Sequence, residues 1–192
     1  MKNIEKRITV EDVFKANEKL VGRRFAVKYN LIIGFPGETI DGIRETVQLA
    51  VALHKRNHNA WFPVNIFTPY PGTALLKKAE EYGFVPPTSL EGWSRLESTG
   101  WCKYYKHWLN ETDNNLLESI NFTSYLAFPS AFHRVTNAWL RFLIQLYQPL
   151  AFYRFSNMQY GLHIEKIGAS LVLDEPFSRF TRSDAANPHV DG

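Results

Sequence analysis

The sequence predicts an α/β protein built on parallel strands and followed by a mostly helical region. Two β-rich, apolar runs, FAVKYNLII at 25–33 and AWFPVNIF at 60–67, flank a segment whose apolar residues recur at helical spacing. This alternation is typical of a βαβ unit, in which the two strands are parallel neighbours. Two parallel strands cannot bury both faces of a sheet, so we expect further strands ahead of them and interpret the N-terminus as a cut.

Helices are predicted at 9–20, 39–55, 73–82, 111–127 and 130–147. Thr9 is the predicted N-cap of the first, with Asp12 three positions later, and Thr112 is the candidate cap of the fourth. Gly83 is expected to stop the third helix at its C′ position. Pro149 is expected to end or kink the last helix, because proline has no backbone N–H.

The helix at 130–147 carries an apolar face with arginines on its flanks. The face comprises Phe132, Val135, Trp139, Phe142, Leu143 and Leu146, and the arginines are Arg134 and Arg141. Such a face can pack on the protein core or lie on an anionic bilayer. We expect core packing and keep peripheral membrane contact as the alternative.

Composition restricts the classes of function. The net charge of +3 over 192 residues lacks the basic footprint of a nucleic-acid binder, so no nucleic-acid partner is expected. The lone Cys102 excludes an internal disulfide framework, and His54, His58 and His107 lack metal-ligand spacing, so no metal residue is assigned. Cysteine usage and the charged N-terminus, which lacks a secretory leader, predict a cytoplasmic location.

The run GFPGET joins the end of the first strand to the start of the next helix. Gly34 and Gly37 permit a sharp turn and close approach to a ligand, while Pro36 fixes one dihedral angle. Free N–H groups at a helix start favour an acceptor or an anion, and ligands bind at this strand edge in barrels and open α/β sheets. The alternative is a purely structural βα turn.

Two motifs together indicate a family. YNLIIGFPGETIDGIRETVQLA, followed one βα unit later by VNIFTPYPGTALLKKAEEYG, resembles the fifth and sixth strand units of radical S-adenosylmethionine (SAM) barrels. The likeness covers roughly residues 5–100 and is strongest to the group with an N-terminal cobalamin-binding domain. It implies the C-terminal part of a partial TIM-type barrel at 1–100, a helical aromatic-rich region at 101–177 and a disordered tail at 178–192.

The resemblance also implies cofactors and the residues that contact them. The fifth-strand turn would line SAM with Ile33, Gly34, Phe35, Pro36, Gly37 and Glu38, and the sixth-strand end would approach the adenine with Phe67, Thr68, Pro69 and Tyr70. A 4Fe-4S cluster, and cobalamin where it is used, would be held outside this chain. Two departures stand out: the cluster motif CxxxCxxC is absent, and the family pattern GxIxGxxE would place its acid at Gly37, one residue before Glu38.

The implied enzyme cleaves SAM for radical chemistry on a small-molecule or lipid-like substrate. Members with cobalamin transfer methyl groups and others cyclise or rearrange, and the sequence does not choose among these outcomes or assign a catalytic residue. The missing N-terminal part of the same enzyme is the expected partner. A non-catalytic α/β module that docks on a partner or a membrane surface is the alternative. A phosphate- or nucleotide-binding protein is less favoured, because no Walker lysine follows the glycines.

Overall fold

The computed structural model describes residues 8–25, 27–93, 111–129 and 138–161. The elements are α1 (Val10–Lys19), β1 (Val27–Lys28), β2 (Leu31–Ile33), α2 (Ile40–Arg56), β3 (Ala60–Trp61), β4 (Val64–Ile66), α3 (Ala74–Glu81), α4 (Glu111–Leu126) and α5 (Ala138–Asn157). The predicted mixed α/β class with parallel strands is confirmed, but the described residues form no barrel. The predicted tail at 178–192 lies outside the described residues.

The described residues fall into two compact units. Residues 8–25, 27–67, 115–129 and 138–161 form the first, and residues 68–93 with 111–114 belong to the second. The predicted boundary at residue 100 lies outside the described residues and stays a prediction.

The four short strands form one parallel pair that is interrupted in the middle, with β1 and β3 before the interruption and β2 and β4 after it. Val27 lies opposite Ala60, and Leu31 lies opposite Val64, so both halves share one offset along the chain. The two continuous strands predicted at 25–33 and 60–67 are therefore each present as two segments.

Pro63 explains the interruption. The Tyr29 N–H donates to the Trp61 carbonyl and the Leu31 N–H donates to the Pro63 carbonyl, each at 3.0 Å. In a parallel ladder the next bond would run from the N–H of position 63 back to Tyr29, and proline has no N–H to donate. The ladder therefore loses one bond but keeps its register.

Helix α2 covers one face of this strand pair. Its Thr39 cap accepts a hydrogen bond from the Gly42 N–H at 3.2 Å, as preferred for an N-cap threonine. The buried apolar residues of α2, of the strands and of the link between β3 and β4 make up much of the first unit's core: Ile43, Val47, Ala50, Leu53, Ile33, Ala60, Phe62 and Val64. This arrangement is the predicted βαβ unit.

Helix α4 covers the outer edge of β4 with polar side chains. The Val64 N–H donates to Ser124 Oγ at 2.9 Å, and Asn121 Nδ2 donates to the Val64 carbonyl at 2.6 Å. Both backbone groups of Val64 are thus satisfied without a further strand. Thr112 lies inside α4, so its predicted role as N-cap is wrong; the helix already includes Glu111.

Two helix ends follow their sequence signals closely. Thr9 and Asp12 form a reciprocal capping box on α1, with Asp12 N–H donating to Thr9 Oγ1 at 3.1 Å. After α3, Gly83 adopts a φ of 91°, and the Phe84 N–H donates to the Ala79 carbonyl at 3.0 Å. This six-to-one bond completes the glycine C-cap that the sequence predicts.

Helix α5 continues through Pro149 to Asn157, so of the two predicted outcomes the end of the helix at Pro149 is wrong, and the kink stays a prediction. Proline removes the bond to the carbonyl four residues earlier, at Gln145. Both residues are exposed, so water can satisfy that carbonyl. The predicted start of this helix at 130–137, with Phe132, Arg134 and Val135, lies outside the described residues.

A buried pair of asparagines joins α1 to the end of α2. Asn17 Nδ2 donates to the Leu53 carbonyl at 3.0 Å, and Asn57 Nδ2 donates to Asn17 Oδ1 at 3.3 Å. Asn17 is fully buried and Asn57 is 2% exposed. Buried amides are costly unless their hydrogen bonds are made, so this pair fixes how α1 packs on α2.

We therefore expect Asn17→Ala to lower the free energy of unfolding by about 1–3 kcal/mol, because the Asn57 side-chain amide loses its buried acceptor and the Leu53 carbonyl keeps the Asn57 backbone N–H but loses the Asn17 donor. Urea denaturation measures the change. Lys19→Ala, an exposed substitution in the same helix, is the control and should have an effect within about 0.5 kcal/mol of zero. Equal effects of the two variants would contradict the prediction.

His54 is a buried histidine among aromatic rings. It is 7% exposed, and its ring centroid lies 5.0 Å from that of Phe128 and 5.6 Å from that of Phe152. Its Nδ1 lies 3.1 Å from the Ala60 carbonyl oxygen, which can only accept, so Nδ1 carries the proton. Burial lowers the pKa of His54, partly opposed by this hydrogen bond.

Because the folded-state pKa is lower than the unfolded one, the unfolded chain binds the extra proton first as the pH falls. Stability is therefore complete above the unfolded pKa of about 6.5 and decreases below it. We expect the melting temperature to fall between about pH 7.5 and pH 5.5, and His54→Phe to reduce that dependence. Lys55→Gln, at an exposed position of the same helix, is the control. A pH dependence unchanged in His54→Phe would show that another group causes it.

Candidate functional site

The two motif-bearing strands end side by side. Ile33 lies opposite Ile66, and the Phe67 N–H donates to the Ile33 carbonyl at 2.8 Å. Because β2 and β4 are parallel, the GFPGET turn and Phe67 follow strand ends on the same edge of the sheet. This is the edge at which α/β folds bind ligands.

Two phenylalanine rings meet at this edge. The centroids of Phe35 and Phe67 are 4.9 Å apart, with their planes tilted by 33°. Phe67 is 6% exposed, whereas Phe35 is only half-buried. The pair therefore presents part of an aromatic surface to solvent beside the turn, and such a surface can stack with a planar ligand.

Position 34 requires glycine for two reasons, its backbone conformation and its contact with α4. Its φ of 81° disfavours any side chain, and a Cβ here would approach Leu117 Cδ1 to 2.8 Å. The same Cβ would lie 3.4 Å from Ile66 Cγ2. The close contact that glycine permits at this position is therefore with protein side chains, whereas the sequence interpretation assigned it to a ligand.

Glu38 folds back onto its own turn. Its Oε2 accepts from the Gly34 N–H at 2.5 Å and from the Phe35 N–H at 3.2 Å. Thr39 caps the following helix independently. These two amides are thus occupied by the chain's own carboxyl group.

Burial raises the pKa of the Glu38 carboxyl, and its hydrogen bonds to the Gly34 and Phe35 amides oppose that rise. The side chain is half-buried. Its geometry is suited to holding the turn, since one oxygen bridges two consecutive amides.

The predicted cofactor residues differ in accessibility. In the first unit, Ile33, Gly34, Pro36 and Phe67 are buried, Phe35 and Glu38 are half-buried, and Gly37 is exposed with a φ of 77°. In the second unit, Pro69 is buried, Thr68 is half-buried and Tyr70 is exposed. The Tyr70 carbonyl accepts from Thr73 Oγ1 at 2.8 Å, which closes the TPYPG turn ahead of α3.

The sheet face opposite α2 is partly open. Lys28, Asn30 and Ile32 are exposed on it, and Lys28 Nζ lies 5.1 Å from the centre of the Trp61 ring. Asn65 accepts a hydrogen bond from the Tyr125 hydroxyl at 3.2 Å.

Sequence reasoning missed the residues of α4 that build this region. Leu117 packs on Gly34, and Asn121, Ser124 and Tyr125 hold β4. The polar residues of α4 lie three and one apart and carry no recognisable motif. Their partners are about sixty or more residues distant in sequence, so no local signal could have identified them.

Among the described residues, no three His, Cys, Asp or Glu side chains come close enough together to hold a metal ion. None of the helices in the same ranges combines the length and apolar character needed to cross a membrane. Cys102 lies outside the described residues.

No protein-family model matches this chain, and neither the curated proteins nor the solved structures contain a detectable relative.

We expect Glu38→Ala to lower the free energy of unfolding by about 1–3 kcal/mol, because the Gly34 and Phe35 amides lose their acceptor in a partly buried place. Glu38→Gln keeps an acceptor oxygen and should lose less. Glu45→Ala, an exposed carboxylate removed from α2, is the matched control for charge. Urea denaturation of the three variants measures the differences. If Glu38→Ala costs no more stability than Glu45→Ala, the hydrogen bonds from the Gly34 and Phe35 amides to Glu38 do not stabilise the fold.

Proposed function

We propose that this chain is the C-terminal part of a radical SAM enzyme and that the ends of β2 and β4 contribute to its SAM site. One observation supports the proposal above all. The two segments whose sequences resemble the SAM-binding strand units are parallel neighbours, and their ligand-side ends are joined by the bond between Phe67 and Ile33.

The residues at this edge are compatible with part of a SAM site. The rings of Phe35 and Phe67 offer an apolar surface suited to an adenine, and the exposed backbone at Gly37 permits close approach. Glu38 would hold the turn in shape, and the roles of Thr68, Pro69 and Tyr70 remain predictions from the resemblance. SAM bound to such a site supplies radical chemistry, while the protein positions it and excludes solvent.

The residues of this chain do not fit a 4Fe-4S cluster. Such a cluster needs several cysteine thiolates, and the chain contains one cysteine. The proposal therefore requires cluster ligands outside these residues, and the same applies to cobalamin if the enzyme uses it. The substrate, small-molecule or lipid-like, is not specified further.

A non-catalytic interaction module is the second candidate. It is favoured by four apolar residues of α5 that were expected to pack in the core and are exposed, so that expectation is wrong for them: Trp139, Phe142, Leu143 and Leu146. A module of this kind needs neither SAM nor cysteines, so cofactor binding distinguishes the two candidates.

The first test is the open reading frame that contains this chain, which we expect to encode CxxxCxxC upstream of residue 1. In the protein it encodes, reconstituted anaerobically with iron and sulfide, Gly37→Ala should weaken SAM binding at least about fivefold. The added Cβ would strain a positive φ and intrude beside the ligand. Equilibrium dialysis with labelled SAM measures the affinity.

Gly22→Ala is the matched control for backbone strain. Gly22 is exposed, has a φ of 73° and would meet no atom within 4 Å of an added Cβ, yet it follows α1 and does not belong to the strand ends. It should bind SAM like the parent protein. Absence of the cysteine motif, or equal losses in both variants, would count against the proposed function.

A further inference from the structure

The backbone of residues 27–33 is hydrogen-bonded on one side only. On the inner side, the N–H groups of Tyr29 and Leu31 donate to carbonyls of the neighbouring strand segment. The backbone groups of the residues between them point to the opposite side. Within the described ranges, Asn30 and Ile32 make no backbone hydrogen bond on that side, and both residues are exposed. We call this outer side of residues 27–33 the open edge.

The open edge differs from the far edge of the sheet at Val64. There the side chains of α4 bond both backbone groups of Val64, so the helix takes the place of a further strand. A row of unbonded backbone donors and acceptors is a template for another strand. The open edge offers such a row at Asn30 and Ile32, so the sheet can be extended on that side.

Helices α1 and α5 pack on different sides of α2. Asn17 of α1 donates to the Leu53 carbonyl, whereas Ser156 of α5 accepts a hydrogen bond from Gln48. Leu53 and Gln48 are five positions apart in α2, which separates them by about 140° around the helix axis.

Helix α5 lies toward Val64, which places α1 beside the open edge. The Phe155 ring of α5 lies 5.5 Å from that of Phe128, and Gln148 donates to the Ala127 carbonyl. Ala127 and Phe128 directly follow α4, the helix that covers Val64. Because α1 packs on the other side of α2, it lies on the side of the open edge.

The apolar face of α1 is only partly covered. Asn17 is fully buried against α2, while Val10 is 44% exposed. These two residues are seven positions apart, so they lie on the same side of the helix. Val21, in the turn that follows α1, is 50% exposed. The face of α1 that contacts α2 therefore extends beyond it, toward the open edge, where a further strand would bury Val10.

The chain enters β1 from α1 in the same way that it enters β3 from α2. A connection through a helix between parallel neighbouring strands is right-handed in nearly all proteins. Helix α2 makes this connection within the strand pair, and α1 lies beside α2. We propose that a strand ahead of α1 in the same polypeptide pairs in parallel with residues 27–33 at the open edge.

The chemistry of the occupant follows from its surroundings. It is an extended and largely apolar segment, because α1 would cover one of its faces. Residues 1–7 carry four charged side chains, so we expect the strand to come from a segment encoded ahead of them. The inference depends on hydrogen bonds and helix packing and involves no SAM, so it stands apart from the proposed function.

Hydrogen–deuterium exchange at single-residue resolution tests this pairing. It compares the 192-residue chain with the protein encoded by the whole open reading frame, here called the longer protein. In the 192-residue chain, the Asn30 and Ile32 amides should exchange at least about tenfold faster than those of Tyr29 and Leu31, which are bonded within the pair. In the longer protein this difference should fall below about threefold, because both sets of amides are then bonded.

Proline at position 30 removes an outer donor and keeps the inner hydrogen bonds. In the longer protein, Asn30→Pro should speed exchange at Ile32 at least about tenfold. Asn30→Ala is the matched control, since it keeps the N–H, and should leave Ile32 within about threefold of the parent. If Asn30→Pro speeds Tyr29 and Leu31 equally, the variant has unfolded, and the comparison of the two parent proteins decides.

Fast exchange at Asn30 and Ile32 in the longer protein would overturn the proposal, as would an open reading frame that begins at residue 1. Slow exchange of these amides in the 192-residue chain that speeds up on dilution would also overturn it, because a second copy would then occupy the open edge. Slow outer amides in a longer protein that lacks CxxxCxxC or SAM binding would contradict the proposed function alone.

Discussion

The described part of the first compact unit depends on hydrogen-bond partners for the backbone groups of a single parallel strand pair. A lone pair leaves an outer row of N–H and C=O groups on each strand, and such edges invite further pairing. At Val64 the side chains of Ser124 and Asn121 supply the hydrogen bonds that a further strand would make, so α4 takes the place of a strand on one side of β4. The same helix brings Leu117 against Gly34, which couples the edge of the sheet to the turn that follows β2.

This coupling gives the GFPGET turn its shape before any ligand arrives. Gly34 is confined by Leu117 on one side, and its amide is bound by Glu38 from within the turn. A turn held by its own carboxyl group pays little conformational entropy when a ligand binds beside it. The same geometry leaves the Gly34 and Phe35 amides unavailable to an anion, so ligand contact at this edge would use the aromatic rings and the exposed backbone at Gly37.

The sequence predicted best those features whose cause lies within a few residues. The Thr9–Asp12 capping box and the Gly83 C-cap follow from local hydrogen bonding, and both are present. Pro63 was also a local signal, and giving it more weight would have divided the second strand as the structure does. The contacts made by Asn17 and Leu117 join distant parts of the chain, and no spacing or motif announces them.

For helix α5, the spacing of apolar residues does not identify which side of the helix is buried. A helix with one apolar side reveals which side is buried, but α5 is apolar on both, and hydrophobicity alone cannot rank Trp139 against Phe155. Packing against Phe128 and the hydrogen bond from Gln148 to Ala127 select the Phe155 side.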